Sequence, residues 1–175
     1  TLMNIINDIL DYSKIEAGKF EIQPSECDIH KTIGDVTNLF RYEAEKRSLK
    51  ISTNIDTDVA LTILADQNRL KQVLTNLVSN AIKFTNRGSV TITVSNTPPQ
   101  GHHRLSKIPP HKDSAPPLRN FKSRLYFSVT DTGIGIAPTD LDKLFRSFSQ
   151  LDYNYNRWFK YTNWTCNLFI WSIFN

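Results

Sequence analysis

A chain of 175 residues with 39% apolar and 22% charged side chains has room for one domain and enough apolar material for a core, which excludes wholesale disorder. The net charge of +4 comes from lysines and arginines scattered along the chain, a distribution that gives no reason to expect nucleic acid as a partner. No apolar run reaches the roughly 20 residues needed to cross a bilayer, no signal peptide is visible, and Cys27 and Cys166 show no ligand-like spacing, so the expectation is a reducing, cytoplasmic setting, with a membrane anchor elsewhere in a longer parent left open.

In chain order, Leu2, Ile5, Ile6, Ile9 and Leu10 fall at the spacing of one helical stripe, and Gly18 is a plausible stop. The opening residues already read as mid-helix at Thr1, so the chain is expected to be a piece of something longer. Phe20, Ile22 and Pro24 predict a short strand ending in a turn. Asp28 or Thr32 can start a second helix through Ile33, Val36, Leu39 and Phe40 to about Lys50. Residues 51–55 and 61–64 read as strands, with Asp56 and Asp58 in the turn between them.

Asp66 is a good N-cap for the next helix, whose stripe is Leu70, Val73, Leu74, Leu77, Val78, Ala81 and Ile82. After Gly88, residues 89–95 alternate as a strand, with Val90, Ile92 and Val94 on one face. Residues 96–120 hold six of the eight prolines and read as a long exposed insertion. A strand over 125–129 feeds a glycine loop, and Pro138 suits the first turn of a short helix through Leu144. The order predicts an α+β two-layer sandwich with antiparallel-looking strands. The last segment carries all three tryptophans, Trp158, Trp164 and Trp171, and shows neither a helical nor a strand period.

Two short stretches carry chemistry. On a helix, Asn76, Asn80 and Lys83 project together, at about 0°, 40° and −20° around the axis. An amide oxygen suits a hard cation such as Mg²⁺, and a lysine beside it suits phosphate. Taken alone, this also fits the solvated side of an ordinary core helix. The second stretch is Asp131 followed by Gly133 and Gly135. A buried carboxylate can accept a hydrogen bond from an exocyclic base amine, and the glycines let backbone approach a ligand. Taken alone, this also fits a strand-to-helix turn.

Together and in this order the stretches resemble the catalytic ATP-binding domain of sensor histidine kinases of the hybrid phosphorelay type. The resemblance runs from Asp66, Arg69 and Gln72 through Asn76, Asn80, Lys83, Phe84 and Thr85, like that family's N box, to a first glycine box at Asp131. Leu144, Phe145, Phe148 and Gln150 resemble its phenylalanine box. The run from Ile5 through Asp11, Ser13 and Gly18 to Lys19 resembles the end of its second dimerisation helix.

The resemblance implies three parts. These are the end of a dimerisation domain at 1–18, an ATP-binding domain at 19–157 interrupted by the 96–120 insertion, and an aberrant tail at 158–175. It implies ATP and Mg²⁺ as cofactors. Asn80 would hold the metal and Asn76 would assist it. Lys83 would meet phosphate, Asp131 adenine, Gly133 and Gly135 the adjoining loop, and Arg157 the phosphates at the far end of the lid. The implied partners are the histidine-bearing dimerisation domain of a homodimeric parent kinase and a receiver domain with a phosphoacceptor aspartate. Hydrolysing relatives, the gyrases and heat-shock chaperones, carry a general-base glutamate where this chain has Asn76, and an amide cannot take a proton from water. Phosphoryl transfer is therefore expected over hydrolysis. The other reading left open is a non-catalytic fragment that docks on a full-length kinase.

Two family features are not found. His30, His102, His103 and His111 lack the setting of a phosphoacceptor, so no catalytic histidine is assigned. No glycine follows Gly135, so the second glycine box expected just past Arg157 is missing. The tail is expected to be a frameshift or read-through of non-coding sequence. Losing two charge-assisted hydrogen bonds with that loop costs roughly 3–6 kcal/mol, or about 10²- to 10⁴-fold in affinity. The isolated chain is therefore expected to bind ATP weakly.

Overall fold

The computed structural model describes residues 2–97, 125–136 and 164–170. Helix α1, Leu2–Glu16, ends where the sequence places a stop. Gly18 adopts φ 63° and its amide bonds Ile15, while the Lys19 amide bonds Lys14. These two bonds satisfy carbonyls of the last turn in a Schellman cap.

Strand β1 is Ser25–Asp28, not the expected 20–22 segment, and it pairs antiparallel with β3, Thr62–Ala65. Cys27 is its one buried side chain, a pattern too polar to announce a strand. Helix α2, Ile29–Lys46, is capped by Asp28, whose carboxylate accepts from the Lys31 amide at 2.8 Å. It stops short of the expected Lys50 because the chain turns through Ser48 at φ 55°, with no glycine or proline to mark it. Strand β2 then runs Leu49–Ile55.

Helix α3, Gln67–Phe84, is capped by Asp66 as expected. Its carboxylate accepts from the amides of Arg69 at 3.1 Å and Gln23 at 3.0 Å. Strand β4, Gly88–Ser95, presents Val90, Ile92 and Val94 fully buried. Each is worth about 1.5–3 kcal/mol of transfer free energy. Strand β5 is Leu125–Asp131 and β6 is Trp164–Ile170.

The main sheet has the order β2-β4-β5-β6. Its β2–β4 pair is parallel, against the antiparallel expectation, while β4–β5 and β5–β6 are antiparallel. A local hairpin between β2 and β3 therefore does not form, and the two strands belong to different sheets. Helices α2 and α3 cover one face. The core interleaves Ile33, Val36 and Phe40 of α2 with Leu74, Val78 and Ile82 of α3, over the inward residues of β4 and β5. This is an α+β two-layer sandwich. The tail segment read as having no strand period supplies β6, in continuous register from Asp131↔Trp164 to Leu125↔Ile170. The Pro138 helix and nearly all of the proline-rich insertion lie outside the described residues. Among the described residues no helix is long and apolar enough to cross a membrane.

Candidate functional site

Helix α3 is two-sided. Leu70, Leu74, Val78, Ala81 and Ile82 face the core, while Asn76, Asn80 and Lys83 are exposed. The grouping expected from helical spacing is the one observed. The Lys83 ammonium lies 5.0 Å from the centroid of the Phe84 ring, which keeps its charge at the end of the helix.

The glycine loop is brought to the same end. The Ile134 amide donates to the Phe84 carbonyl at 3.2 Å, joining the loop to the last turn of α3. Gly133 is required by this approach. A Cβ there would stand 2.9 Å from the Phe84 carbonyl carbon and 2.7 Å from an Asp131 oxygen, and would overlap the Phe84 carbonyl oxygen outright. Gly135 needs its missing side chain for a different reason, a φ of 69°. The other side of the loop is tied to β4. The Thr132 amide donates to Ser89 O at 3.1 Å, and the Ser89 amide donates to the Thr132 hydroxyl oxygen at 3.0 Å.

Asp131 sits half-buried at the end of β5. Burial pushes its carboxyl above the ordinary carboxylate range, opposed by hydrogen bonds from the Gly133 amide, at 2.8 Å, and the Thr85 hydroxyl. Thr85 is fully buried at the C-cap of α3, and sequence reasoning gave it no role. Its place directly after Lys83-Phe84 was the available signal. Among the described residues no group of three or more His, Cys, Asp and Glu could hold a metal. A cation here would have to share amide oxygens with a ligand that brings its own anionic oxygens. Arg157, Phe145 and Phe148 lie outside the described residues.

A concavity of about 680 Å³ lies at the opposite end of α3 among Lys14, Phe20, Gln23, Asp66, Arg69 and Gln72. It is remote from Asn80 and Asp131 along the helix and contains none of the expected site residues.

Residues 65–158 match the family described as histidine kinase-, DNA gyrase B-, and HSP90-like ATPase. The chain belongs to this family. Its similarities lie with the sensor kinases in it. It is 35% identical over 156 residues to the signal transduction histidine-protein kinase BarA of Escherichia coli strain K12, covering 89% of this chain and 15% of BarA. It is 38% identical over 151 residues to hybrid signal transduction histidine kinase B of Dictyostelium discoideum, covering 86% of this chain and 7% of that protein. Among solved structures, full-length ShkA in complex with AMPPNP is 30% identical with a TM-score of 0.65, covering 85% of this chain and 27% of ShkA. Histidine kinase ThkA in complex with the response regulator TrrA is 26% identical with a TM-score of 0.60, covering 85% of this chain and 36% of that one. The matched region is a sensor histidine kinase catalytic domain, and the chain spans a small fraction of the relatives' length.

Proposed function

We propose that this chain binds Mg²⁺-ATP between the exposed face of α3 and the Asp131 loop, and that its parent passes the γ-phosphate to a protein histidine. The observation that carries this reading is the Ile134–Phe84 hydrogen bond. It joins the loop that follows Asp131 to the helix end that carries Lys83, which supports reading the two stretches as parts of one site. The AMPPNP held by ShkA, a relative of the same fold, supports the same class of ligand.

In this reading the Asp131 carboxylate, anchored by the Gly133 amide, accepts from the exocyclic amine of adenine. Guanine presents a carbonyl at that position, and two acceptors would face each other, so the site favours adenine. Asn80 offers its amide oxygen to the cation, with Asn76 one turn before it, and Lys83 neutralises phosphate. Gly133 and Gly135 carry the loop along the nucleotide, and the family resemblance assigns a phosphate contact to Arg157, which lies outside the described residues. When bound, Mg²⁺-ATP supplies the phosphoryl group and the charge neutralisation that lets it leave. Asn76 occupies the position of a hydrolase's general base and cannot take a proton, so the acceptor is a protein nucleophile rather than water. A histidine on the dimerisation domain of the parent fits that acceptor. The aspartate of a receiver domain would follow it, as the ThkA complex with a response regulator suggests.

Isothermal titration of the 175-residue chain with ATP, with and without Mg²⁺, tests the reading. Binding that strengthens with Mg²⁺ and prefers ATP over GTP is expected, weakened by the missing second glycine box. Equal affinity for both nucleotides would sink the assignment of Asp131.

A further inference from the structure

Helix α1 has no place in the hydrophobic core. None of the core side chains belongs to it, and Ile6, Ile9 and Leu10 of its apolar stripe are exposed. What α1 gives to the rest of the chain is Asp11, which lies about 100° to 160° around the axis from each of those three. The Arg69 guanidinium donates to both Asp11 oxygens, at 2.5 and 3.1 Å, and to the Gln72 side-chain oxygen at 2.8 Å. The Gln72 amide nitrogen reaches Asp11 in turn at 3.4 Å. The guanidinium also lies 4.7 Å from the centroid of the Phe20 ring, in the segment between α1 and β1. The Arg69 and Asp11 side chains are 34% and 19% exposed, so the pair is partly shielded from water and salt. A helix of 15 residues without a packed apolar face is marginal in water, so this contact carries the order of α1 as well as its direction.

The face of α3 that receives α1 is also the one that carries the candidate nucleotide residues. With Asn76 at 0°, Asn80 at about 40° and Lys83 at about −20°, Arg69 falls at about 20° and Gln72 at about −40°. All five share one strip, and Arg69 is about 20 Å before Lys83 along the axis. Asn76, Asn80 and Lys83 are exposed, while Arg69 and Gln72 are partly covered. We propose that Arg69 is a positioning residue, which docks α1 on the nucleotide-facing strip of α3 and so sets the direction from which the helical part of the parent meets the phosphoryl group. The consequence for transfer rests on the nucleotide reading given above; the docking of α1 does not. The role needs an arginine. Its planar fork binds both carboxylate oxygens and stacks on an aromatic ring, whereas a lysine ammonium supplies the charge without the fork.

The test measures amide hydrogen exchange across residues 9–16 and calorimetric affinity for Mg²⁺-ATP, both in the full 175-residue chain. Asp11→Ala, Arg69→Ala, their double variant and Arg69→Lys are compared. Each alanine variant is expected to speed exchange in α1 by about tenfold or more. The double variant is expected to do no more than either single one, as for two partners in one contact. Arg69→Lys is expected to fall between the parent chain and Arg69→Ala. Affinity for Mg²⁺-ATP is expected to stay within about twofold in Asp11→Ala and Arg69→Lys, because neither change reaches the exposed part of the strip. Asp11 touches no core residue, so Asp11→Ala decides the matter even where Arg69→Ala lowers stability. Protection of α1 that survives Asp11→Ala, or single effects that add in the double variant, overturns the proposal. A loss of ATP affinity in Arg69→Lys that Asp11→Ala does not share also overturns it, since Arg69 would then act on the nucleotide. If the parent chain binds no nucleotide, the functional reading fails for this chain, and exchange alone decides the docking of α1.

Discussion

The two ends of helix α3 treat their carboxylates in opposite ways. At the N-terminal end, Arg69 bonds Asp11 of α1 at 2.5 and 3.1 Å and Gln72 at 2.8 Å, and its guanidinium lies 4.7 Å from the Phe20 ring centroid. The Asp11 carboxyl is held below the ordinary range, chiefly by the Arg69 hydrogen bond. Asp66 is also held below it. Burial pushes it up, but the amides of Gln23 and Arg69 and the Arg69 charge outweigh that push. At the C-terminal end, burial wins and Asp131 is pushed up. A carboxylate that exists to cap and to tether is given donors that favour its charge. Asp131, for which we propose a ligand-reading role, is kept half-buried with fewer donors, at a cost to the fold. If the proposed role of Asp131 holds, the contrast separates structural polarity from binding polarity at the two ends of one helix.

The largest expected effect is at the loop. Gly133→Ala forces a methyl group into the Phe84 carbonyl, and overpacking of that kind costs about 1–3 kcal/mol. The strain is relieved only by parting the loop from α3, so chemical denaturation should show a destabilised chain and calorimetry should show no nucleotide binding. A stable Gly133→Ala variant that still binds ATP would mean the loop is not held as described. Next is Asp131→Asn, which removes the charge but keeps an oxygen for the Gly133 amide. Losing a hydrogen bond to a charged acceptor should weaken ATP by about ten- to a hundredfold. The same change should stabilise the unliganded protein at neutral pH. The folded carboxyl titrates above its unfolded value, so its favourable contribution is fully present only below the ordinary carboxylate range. That contribution is lost as pH rises through the folded value. The gain from Asp131→Asn should therefore shrink as pH falls, and melting temperatures across that range would show it.

A smaller effect is expected on the exposed face. Asn80→Ala removes a side chain that packs against nothing in the core, so the melting temperature should hold within about 0.5 kcal/mol of stability. The Mg²⁺-dependent part of ATP affinity should fall. An equal fall in affinity with and without Mg²⁺ would move Asn80 from the metal to the nucleotide itself.

What the sequence made legible follows one rule: local chemistry was visible and long-range pairing was not. The Asp66 cap, the α3 stripe, the Gly18 stop and the alternation of β4 are each decided within a few residues, and each is observed. So is the common face of Asn76, Asn80 and Lys83, because helical spacing alone fixes it. Strand β1 was misplaced because its pairing with β3, not its own composition, makes it a strand. The parallel β2–β4 pair and the docking of β6 on β5 are decided by partners far away in the chain. Helix α2 ends at a left-handed serine, a residue type that gives little warning of that conformation. Thr85 was quoted inside a motif, but its complete burial at the C-cap of α3 is decided by the fold around it.

The smallest expected effect completes the contrast between the two helix ends. Asp66→Ala removes an N-cap and should cost about 1 kcal/mol, with ATP affinity unchanged because the cap is a helix length from Lys83. Its pH dependence should have the opposite sign to that of Asp131→Asn. The folded Asp66 carboxyl titrates below its unfolded value, so its contribution is present above the ordinary carboxylate range and is lost as pH falls through the lowered value. Measured against the parent chain, the penalty of Asp66→Ala should fade in acid, and so should the gain of Asp131→Asn. Both differences therefore close on the parent from opposite sides as pH drops. If they close from the same side, the two ends of α3 do not divide structural from binding polarity, and the loop carboxylate is a cap like the other.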